Sequence, residues 1–279
     1  MGRLRRVDAE LVRRSLARSR THARELIEEG RVRLDGEIVR KAARQMDPAQ
    51  ALLVEENAAE DYVSRGAYKL IGALDYLGDN APQIRGRYCL DAGASTGGFT
   101  DVLLRRGASH VFAVDVGYGQ IAWKLREDSR VSVIERTNVR TLDPALIDPP
   151  AGLVVADLSF ISLTLVIPAL VAASAPDADF LLMVKPQFEI GRERLGAGGV
   201  VRNLDHHHEA VCTVGKAARE TGLAIKAVAP SPLPGPAGNV EYFLYMARGG
   251  SDDLDLDEAV AHAIADGPAA ERGKEQEEK

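Results

Sequence analysis

Leu90-Asp91-Ala92-Gly93-Ala94-Ser95-Thr96-Gly97-Gly98-Phe99-Thr100-Asp101 joins an apolar run, residues 88–92, to an amphipathic one, residues 97–106. Read as strand, turn and helix, the segment has glycines where the backbone must bend sharply and lie close to a ligand, because glycine has no Cβ. A nucleotide pyrophosphate at the helix N-terminus would welcome basic side chains, and this turn has none. Instead an acid, Asp91, stands at the strand end. A carboxylate there suits a cofactor with a cationic amino-acid end, which points to S-adenosylmethionine (SAM) rather than a dinucleotide. Gly93, Ala94, Ser95, Thr96, Gly97 and Gly98 then form the cradle. Asp115, in the next apolar run (111–116), stands where an acid can bond ribose hydroxyls. Asn138, after the run 131–134, can reach an adenine edge. Singly, the two acids read equally well as caps and Asn138 as a turn residue. Together, at successive strand ends, they describe a cofactor crevice.

Outward from this turn, apolar runs recur at 88–92, 111–116, 131–134, 153–156, 180–184, 225–228 and 242–246. Helical patterns lie at 97–106, 120–127, 163–174 and 206–221. Strand–helix alternation of this kind predicts an α/β doubly wound, Rossmann-like sheet. The Pro- and Gly-rich residues 230–238 predict a loop.

The first fifty residues differ in character. They hold 13 Lys and Arg against 8 Asp and Glu, a net of +5, so the remainder carries −11 of the total −6. Residues 7–19 and 21–29 read as helices, the second capped by Thr21 and stopped by Gly30. Asp35-Gly36 between short alternating runs predicts a tight hairpin. A small basic unit on an acidic body suits a polyanion, although an ordinary charged helix pair has the same composition. Residues 55–61 read as a linker. After Gly250 the chain has ten acids and three bases; a marginal helix over 251–265 and disorder beyond 266 are expected. The boundaries are therefore 1–59, a 60–64 linker, 65–250, and an acidic tail, 251–279.

The charged residues at the expected strand ends carry a family resemblance. The sequence resembles the TlyA-type (hemolysin A-like) ribosomal RNA 2′-O-methyltransferases, through Ser19–Ala23, residues 30–39, Val63-Ser64-Arg65-Gly66-Ala67-Tyr68-Lys69-Leu70, residues 90–101, Ala156-Asp157-Leu158-Ser159-Phe160-Ile161-Ser162 and Val184-Lys185-Pro186-Gln187-Phe188-Glu189. The resemblance covers nearly everything from residue 7 to 246. It implies an S4-like RNA-binding domain followed by an FtsJ-like SAM-dependent methyltransferase domain. The FtsJ-like Lys-Asp-Lys-Glu tetrad falls on Lys69, Asp157, Lys185 and Glu241. A charge ending an apolar strand is costly unless paired or used, although a structural ion-pair network would also satisfy it. In the implied reaction Lys185 takes the proton of a ribose 2′-hydroxyl attacking the SAM methyl group. An amine base must first be neutral, which burial and a second cation, Lys69, favour. Glu241 orients the lysines, and Asp157 positions the hydroxyl or the donor's methionine end. The S4-like head implies binding of structured RNA through Arg5, Arg6, Arg18, Arg20, Arg24, Arg31, Arg33 and Lys41. The resemblance also names ribosomal RNA, in one or both ribosomal subunits, as partner and a cytidine ribose as target.

The sequence departs from this pattern at three places. Glu60-Asp61-Tyr62-Val63 replaces an Arg-Ala-Trp-like linker stretch, Ala42 stands where proline is expected, and the acidic tail has no counterpart. His206-His207-His208 is no chelate as a run, since consecutive helical side chains diverge; no metal is expected. Trp123 reads as packing, while Phe160 and Phe188 read either as packing or as platforms for a flipped base. Two unrelated cysteines, Cys89 and Cys212, give no disulfide framework and fit a reducing cytoplasm. No run approaches the ~18–20 apolar residues that span a bilayer, which argues against a membrane-active hemolysin. The same residues also leave room for a non-catalytic RNA-binding module or a dinucleotide-dependent enzyme, which the intact tetrad and the glycine turn disfavour.

Overall fold

The computed structural model describes residues 4–14, 16–17, 20–28, 30–55, 62–235 and 237–269. Arg18, linker residues 60 and 61, and residues 270–279 of the acidic tail lie outside the described residues. The chain forms two compact units, residues 1–61 and 62–279.

The first unit contains β1 (Arg5–Arg6), α1 (Val7–Arg13), α2 (Arg20–Glu28), β2 (Val32–Leu34), β3 (Glu37–Ile38), β4 (Gln45–Met46) and β5 (Leu52–Val54). β1 pairs with β4, and β2 lies between β3 and β5, all antiparallel. Val7, Leu11, Ala23, Leu26, Ile27, Val32 and Leu34 form its core. The Asp35-Gly36 turn has positive φ at both residues, 49° and 86°, as a two-residue hairpin with right-handed strand twist requires. Helix α1 ends at Arg13, well short of the expected 7–19. The Leu16 and Ala17 amides fold back onto the Leu11 carbonyl, which carries Ala17 into the core.

The second unit contains α3 (Gly66–Leu77), β6 (Tyr88–Ala92), α4 (Gly98–Arg105), β7 (His110–Val114), α5 (Trp123–Arg126), β8 (Val131–Ile134), β9 (Ala151–Ala156), α6 (Ile167–Ala172), β10 (Ser174–Val184), α7 (Pro186–Glu189), α8 (Leu204–Glu220), β11 (Leu223–Pro230), β12 (Tyr242–Arg248) and α9 (Leu256–Asp266). The sheet order is β11-β12-β10-β9-β6-β7-β8. β8, β7, β6, β9 and β10 are parallel, and β12 is inserted antiparallel between β10 and β11. Alternate strand residues enter two cores. Leu90, Val154, Phe180 and Leu182 pack with α6, α8 and α9, whereas Cys89, Val111, Leu153 and Leu181 pack with α3, α4 and α5. The unit is thus a doubly wound α/β sheet covered on both faces.

Three expected helices differ. The run 120–127 is helical only over Trp123–Arg126, and Trp123 is 72% exposed rather than packed. The run 163–174 divides into a 3₁₀ turn at Leu163–Leu165 and α6, with Pro168 in the first turn of α6, where its missing N–H costs nothing. Most importantly, the marginal helix expected over 251–265 forms as α9, and it packs into the fold rather than belonging to a tail. Leu256, Val260, Ala263 and Ile264 share one face of it and are buried in the core, while the acids of its first turn sit at the positive end of the helix dipole.

Candidate active site

The chain order reverses between β6 and β9: from β6 the sheet grows to β7 and β8, then returns to β9 on the other side. Ligands of such sheets lie beyond the strand C-termini at this switch point. Ala92 and Ala156 pair in register there, and the Asp157 amide donates to the Ala92 carbonyl at 3.1 Å. The glycine turn therefore starts against the first residues after β9. Gly93 has φ 87°, and a Cβ on it would stand 2.7 Å from the Asp157 carbonyl oxygen. Gly98 opens α4 with no room for a side chain, since a Cβ would stand 2.4 Å from Ser64 Oγ and 2.9 Å from the Ala67 amide nitrogen.

Asp91 is fully buried. Its Oδ2 accepts the Thr100 hydroxyl at 2.7 Å, and its Oδ1 has no partner. Burial pushes this carboxyl up to about 7, opposed by the Thr100 hydrogen bond and assisted by the negative charges of Asp157 and Asp115. Asp115 accepts the Ser95 amide at 2.8 Å and the Gly117 amide at 2.6 Å. It ties the glycine turn to the end of β7, where Ser95 is held at φ 48°. Asn138 is exposed, and its Oδ1 caps the following turn by accepting the Arg140 amide at 3.0 Å. That oxygen serves the local backbone, as the turn-residue reading of the sequence has it.

The four tetrad residues form two ion pairs. Lys185 Nζ lies 2.5 Å from Asp157 Oδ1 and donates to Ser159 Oγ at 3.0 Å. Lys69 Nζ lies 2.5 Å from Glu241 Oε2, and both residues of this pair are buried, 9% and 1% exposed. Glu241 therefore holds Lys69, and Lys185 is held by Asp157 and Ser159. Sequence reasoning misses Ser159 as a site residue, although it stands inside the 156–162 stretch that carries the resemblance. Phe160 is 91% exposed at φ 64°, with its ring centroid 5.2 Å from that of Phe188. It is not core packing. Neighbouring Glu189 is also missed by sequence reasoning. The available signal is its spacing of four from Lys185, which places both on one turn of chain.

The histidine run diverges, as helical geometry requires. His207 points inward to the Tyr242 hydroxyl and the Val201 carbonyl, each at 3.0 Å, and burial lowers its pKa. His208 instead meets Cys212 and Asp257, whose donor atoms all lie within 4.8 Å of one another. Burial, with Asp257, pushes the Cys212 thiol up to about 11.

In the first unit the expected RNA contacts are largely paired with acids of the same unit. Buried Asp8 gathers Arg6 and Arg20 at 2.9 Å and Arg24 at 4.0 Å, and Arg6 holds its carboxyl well below the usual range. Buried Glu10 gathers Arg5 with Arg13 and Arg14, and Arg13 lowers it to about 2. Arg31 donates to the Glu55 carbonyl at 3.0 Å, and Arg33 pairs with the Glu55 carboxylate. Lys41 is exposed and, with Ile38, Arg40, Ala43 and Arg44, lines a cavity of about 460 Å³. The side chains of Arg5, Arg20 and Arg24 stay about half exposed, at 48–56%. The carboxylates fix their directions without covering them.

Comparison with known proteins agrees with this two-part organisation. Residues 62–248 match the FtsJ-like methyltransferase family, and residues 5–50 match the S4 domain. The 16S/23S rRNA (cytidine-2′-O)-methyltransferase TlyA of Mycobacterium tuberculosis is 53% identical over 271 residues, 96% of this chain and 100% of that protein. The 23S rRNA (cytidine-2′-O)-methyltransferase TlyA of Campylobacter jejuni is 32% identical over 247 residues, 82% and 94% of the two chains. A solved structure from Streptococcus thermophilus, which carries a hemolysin name, superimposes with a TM-score of 0.73 at 35% identity over 99% of each chain.

Proposed function

The chain belongs to the FtsJ-like methyltransferase family, in the TlyA-type branch with an S4 domain ahead of the methyltransferase domain, and on that premise we propose that it methylates a cytidine 2′-hydroxyl in ribosomal RNA with SAM as donor. The observation that carries this reading is Lys185 held between Asp157 and Ser159 at the switch point, with the Gly93 turn against Asp157. The relatives' named substrates differ, 16S and 23S in one and 23S alone in the other, so both subunits are candidate substrates.

The residues fit the cofactor on two counts. Asp91 Oδ1 is a buried acceptor without a partner, as an ammonium group requires, and Gly93 leaves open the space that a Cβ would close against Asp157. When bound, SAM would supply an electrophilic methyl group on a sulfonium, whose sulfur would keep the electron pair of the broken C–S bond and leave as a neutral thioether. Asp91, the turn from Gly93 to Gly98, Asp115, Asn138 and Asp157 are the residues proposed to hold it, Asn138 through the amide nitrogen that its cap leaves over.

As the new C–O bond forms, the ribose hydroxyl loses its proton, and Lys185 Nζ is the proposed acceptor. Lys185 must first lose a proton of its own, and Asp157 at 2.5 Å is where it can go. The proton gained from the ribose is then held at Nζ beside Asp157 and Ser159. Lys69 and Glu241 are the proposed second wall. A buried, fully paired couple keeps its geometry without water, and holding donor and acceptor in line is the main way such a site lowers the barrier.

Transfer of label from radiolabelled SAM to purified ribosomal subunits, with wild type beside Lys185→Ala, tests the reading. Label in RNA with wild type alone supports it. Full transfer by a folded Lys185→Ala protein removes Lys185 from the chemistry, and no SAM binding by wild type favours a non-catalytic RNA-binding module. Among the described residues no helix is long and apolar enough to cross a membrane. Leakage of vesicles by pure protein at low concentration would favour the hemolysin reading.

A further inference from the structure

Glu189 takes no part in the proton transfer, yet its surroundings are specific. Its Oε1 accepts the Leu163 amide at 2.9 Å, and its Oε2 accepts the Ser162 hydroxyl. Ser162 Oγ in turn accepts the Thr164 amide at 3.2 Å. Leu163 and Thr164 open the 3₁₀ turn Leu163–Leu165, and the first amides of any helical turn lack partners within it. Ser162, the residue just before the turn, caps one of them. Glu189 caps the other from α7, which is a borrowed cap.

The same short stretch also fastens the other end of this loop. Lys185, immediately before α7, holds Asp157 and Ser159. Residues 157–162 are therefore tied at both ends to one turn of chain, by Lys185 and by Glu189. Between the two ties stands Phe160, 91% exposed at φ 64° and leaning on Phe188. A bulky residue in the left-handed region costs about 1–3 kcal/mol and persists only where its surroundings over-determine it. The two ties are what over-determine it. Burial raises the Glu189 carboxyl above its ordinary range, as expected of a group placed for its donors, the Leu163 amide and the Ser162 hydroxyl, rather than for contact with water.

We propose that Glu189 is a positioning residue for methyl transfer. It fixes the far end of the 157–162 loop so that Asp157, Ser159 and Phe160 face the acceptor nucleotide together, and it touches neither donor nor acceptor itself. The proposal rests on the methyltransferase reading.

The test compares full-length Glu189→Ala and Glu189→Gln with wild type in four measurements: SAM affinity by calorimetry, Tm, kcat and KM for ribosomal subunits, and hydrogen exchange over residues 158–164. Glutamine keeps an acceptor for the Leu163 amide and a polar partner for Ser162, whereas alanine keeps neither. The expected result is a fall of at least ~10-fold in kcat/KM for Glu189→Ala, because small misplacements of reacting groups carry penalties of that size. SAM affinity should hold within about twofold, and loop exchange should rise. Glu189→Gln should recover most of the activity and the protection. Wild-type kcat/KM in Glu189→Ala overturns the proposal, as does unchanged loop exchange. Equal losses in both variants that track Tm overturn it in favour of a purely structural role. Wild-type protein that methylates no ribosomal RNA overturns instead the reading on which the proposal rests.

Discussion

SAM binding should tighten as pH rises from 5.5 to 7.5, and Asp91 should be the cause. Its carboxyl is fully buried and sits at about 7 instead of 3.8, with Asp157 and Asp115 reinforcing the effect of burial and Thr100 opposing it. An ammonium group placed at Oδ1 favours the charged carboxylate, so binding is linked to loss of the Asp91 proton. For a free-protein value near 7, the apparent Kd rises about tenfold above its plateau at pH 6 and about 30-fold at pH 5.5. The range stops at 7.5 because an α-amino group itself begins to titrate at about 7.7–8.0. Calorimetry in two buffers of different ionisation enthalpy should find close to one proton released per SAM bound at pH 6. Asp91→Asn should bind more weakly at pH 7.5 and lose the pH dependence. The unliganded protein gives an independent sign. A carboxyl raised in the folded state contributes stability that is complete below its unfolded value, 3.8, and is lost as pH rises through about 7. The full extent is about 4 kcal/mol, so Tm should fall between pH 5 and 7.5 in wild type and flatten in Asp91→Asn. A wild-type Kd constant within about twofold from pH 5.5 to 7.5 would refute both the placement of the ammonium group and the role of burial.

Glu241→Ala leaves Lys69 buried without its partner and should cost about 3–5 kcal/mol in chemical denaturation. The double variant Lys69→Met, Glu241→Leu should regain most of that stability and no methyl transfer, which separates the pair's structural role from its catalytic one; a single variant as stable as wild type would contradict this. Lys41→Glu, at an exposed position of the first unit, should weaken rRNA binding across sequences and reduce the slope of log K against log salt by about 1 or more, with SAM affinity unchanged. An unaltered salt slope would remove Lys41 from the RNA contacts.

The parts of this molecule that are legible in its sequence are those specified by neighbours along the chain. The glycine turn is one: a strand end, a residue at φ 87° and a helix start are written within a dozen positions. The strands of the sheet are another, because burial on both faces demands near-continuous apolar runs. The acidic tail misleads for the complementary reason. Net charge averages over a helix, whereas folding reads one face of it. Leu256, Val260, Ala263 and Ile264 recur at i, i+4, i+7 and i+8, and the acids that dominate the composition lie elsewhere on α9 or outside it.

The site follows the same rule. Its charged residue types stand out, but their pairing does not, since Lys69 and Glu241 are separated by 172 positions and meet only because α3 packs on the sheet. The sequence suggests Lys69 beside Lys185, with Glu241 orienting both. In the structure Glu241 pairs with Lys69 and Asp157 with Lys185, while the register of β10 against β12, Val184 opposite Tyr242, sets Lys185 and Glu241 at adjoining strand ends. Motif reading identifies which groups are present, and the topology decides which proton can go where. In this site it also decides which residue, Glu189, must hold still while the proton moves.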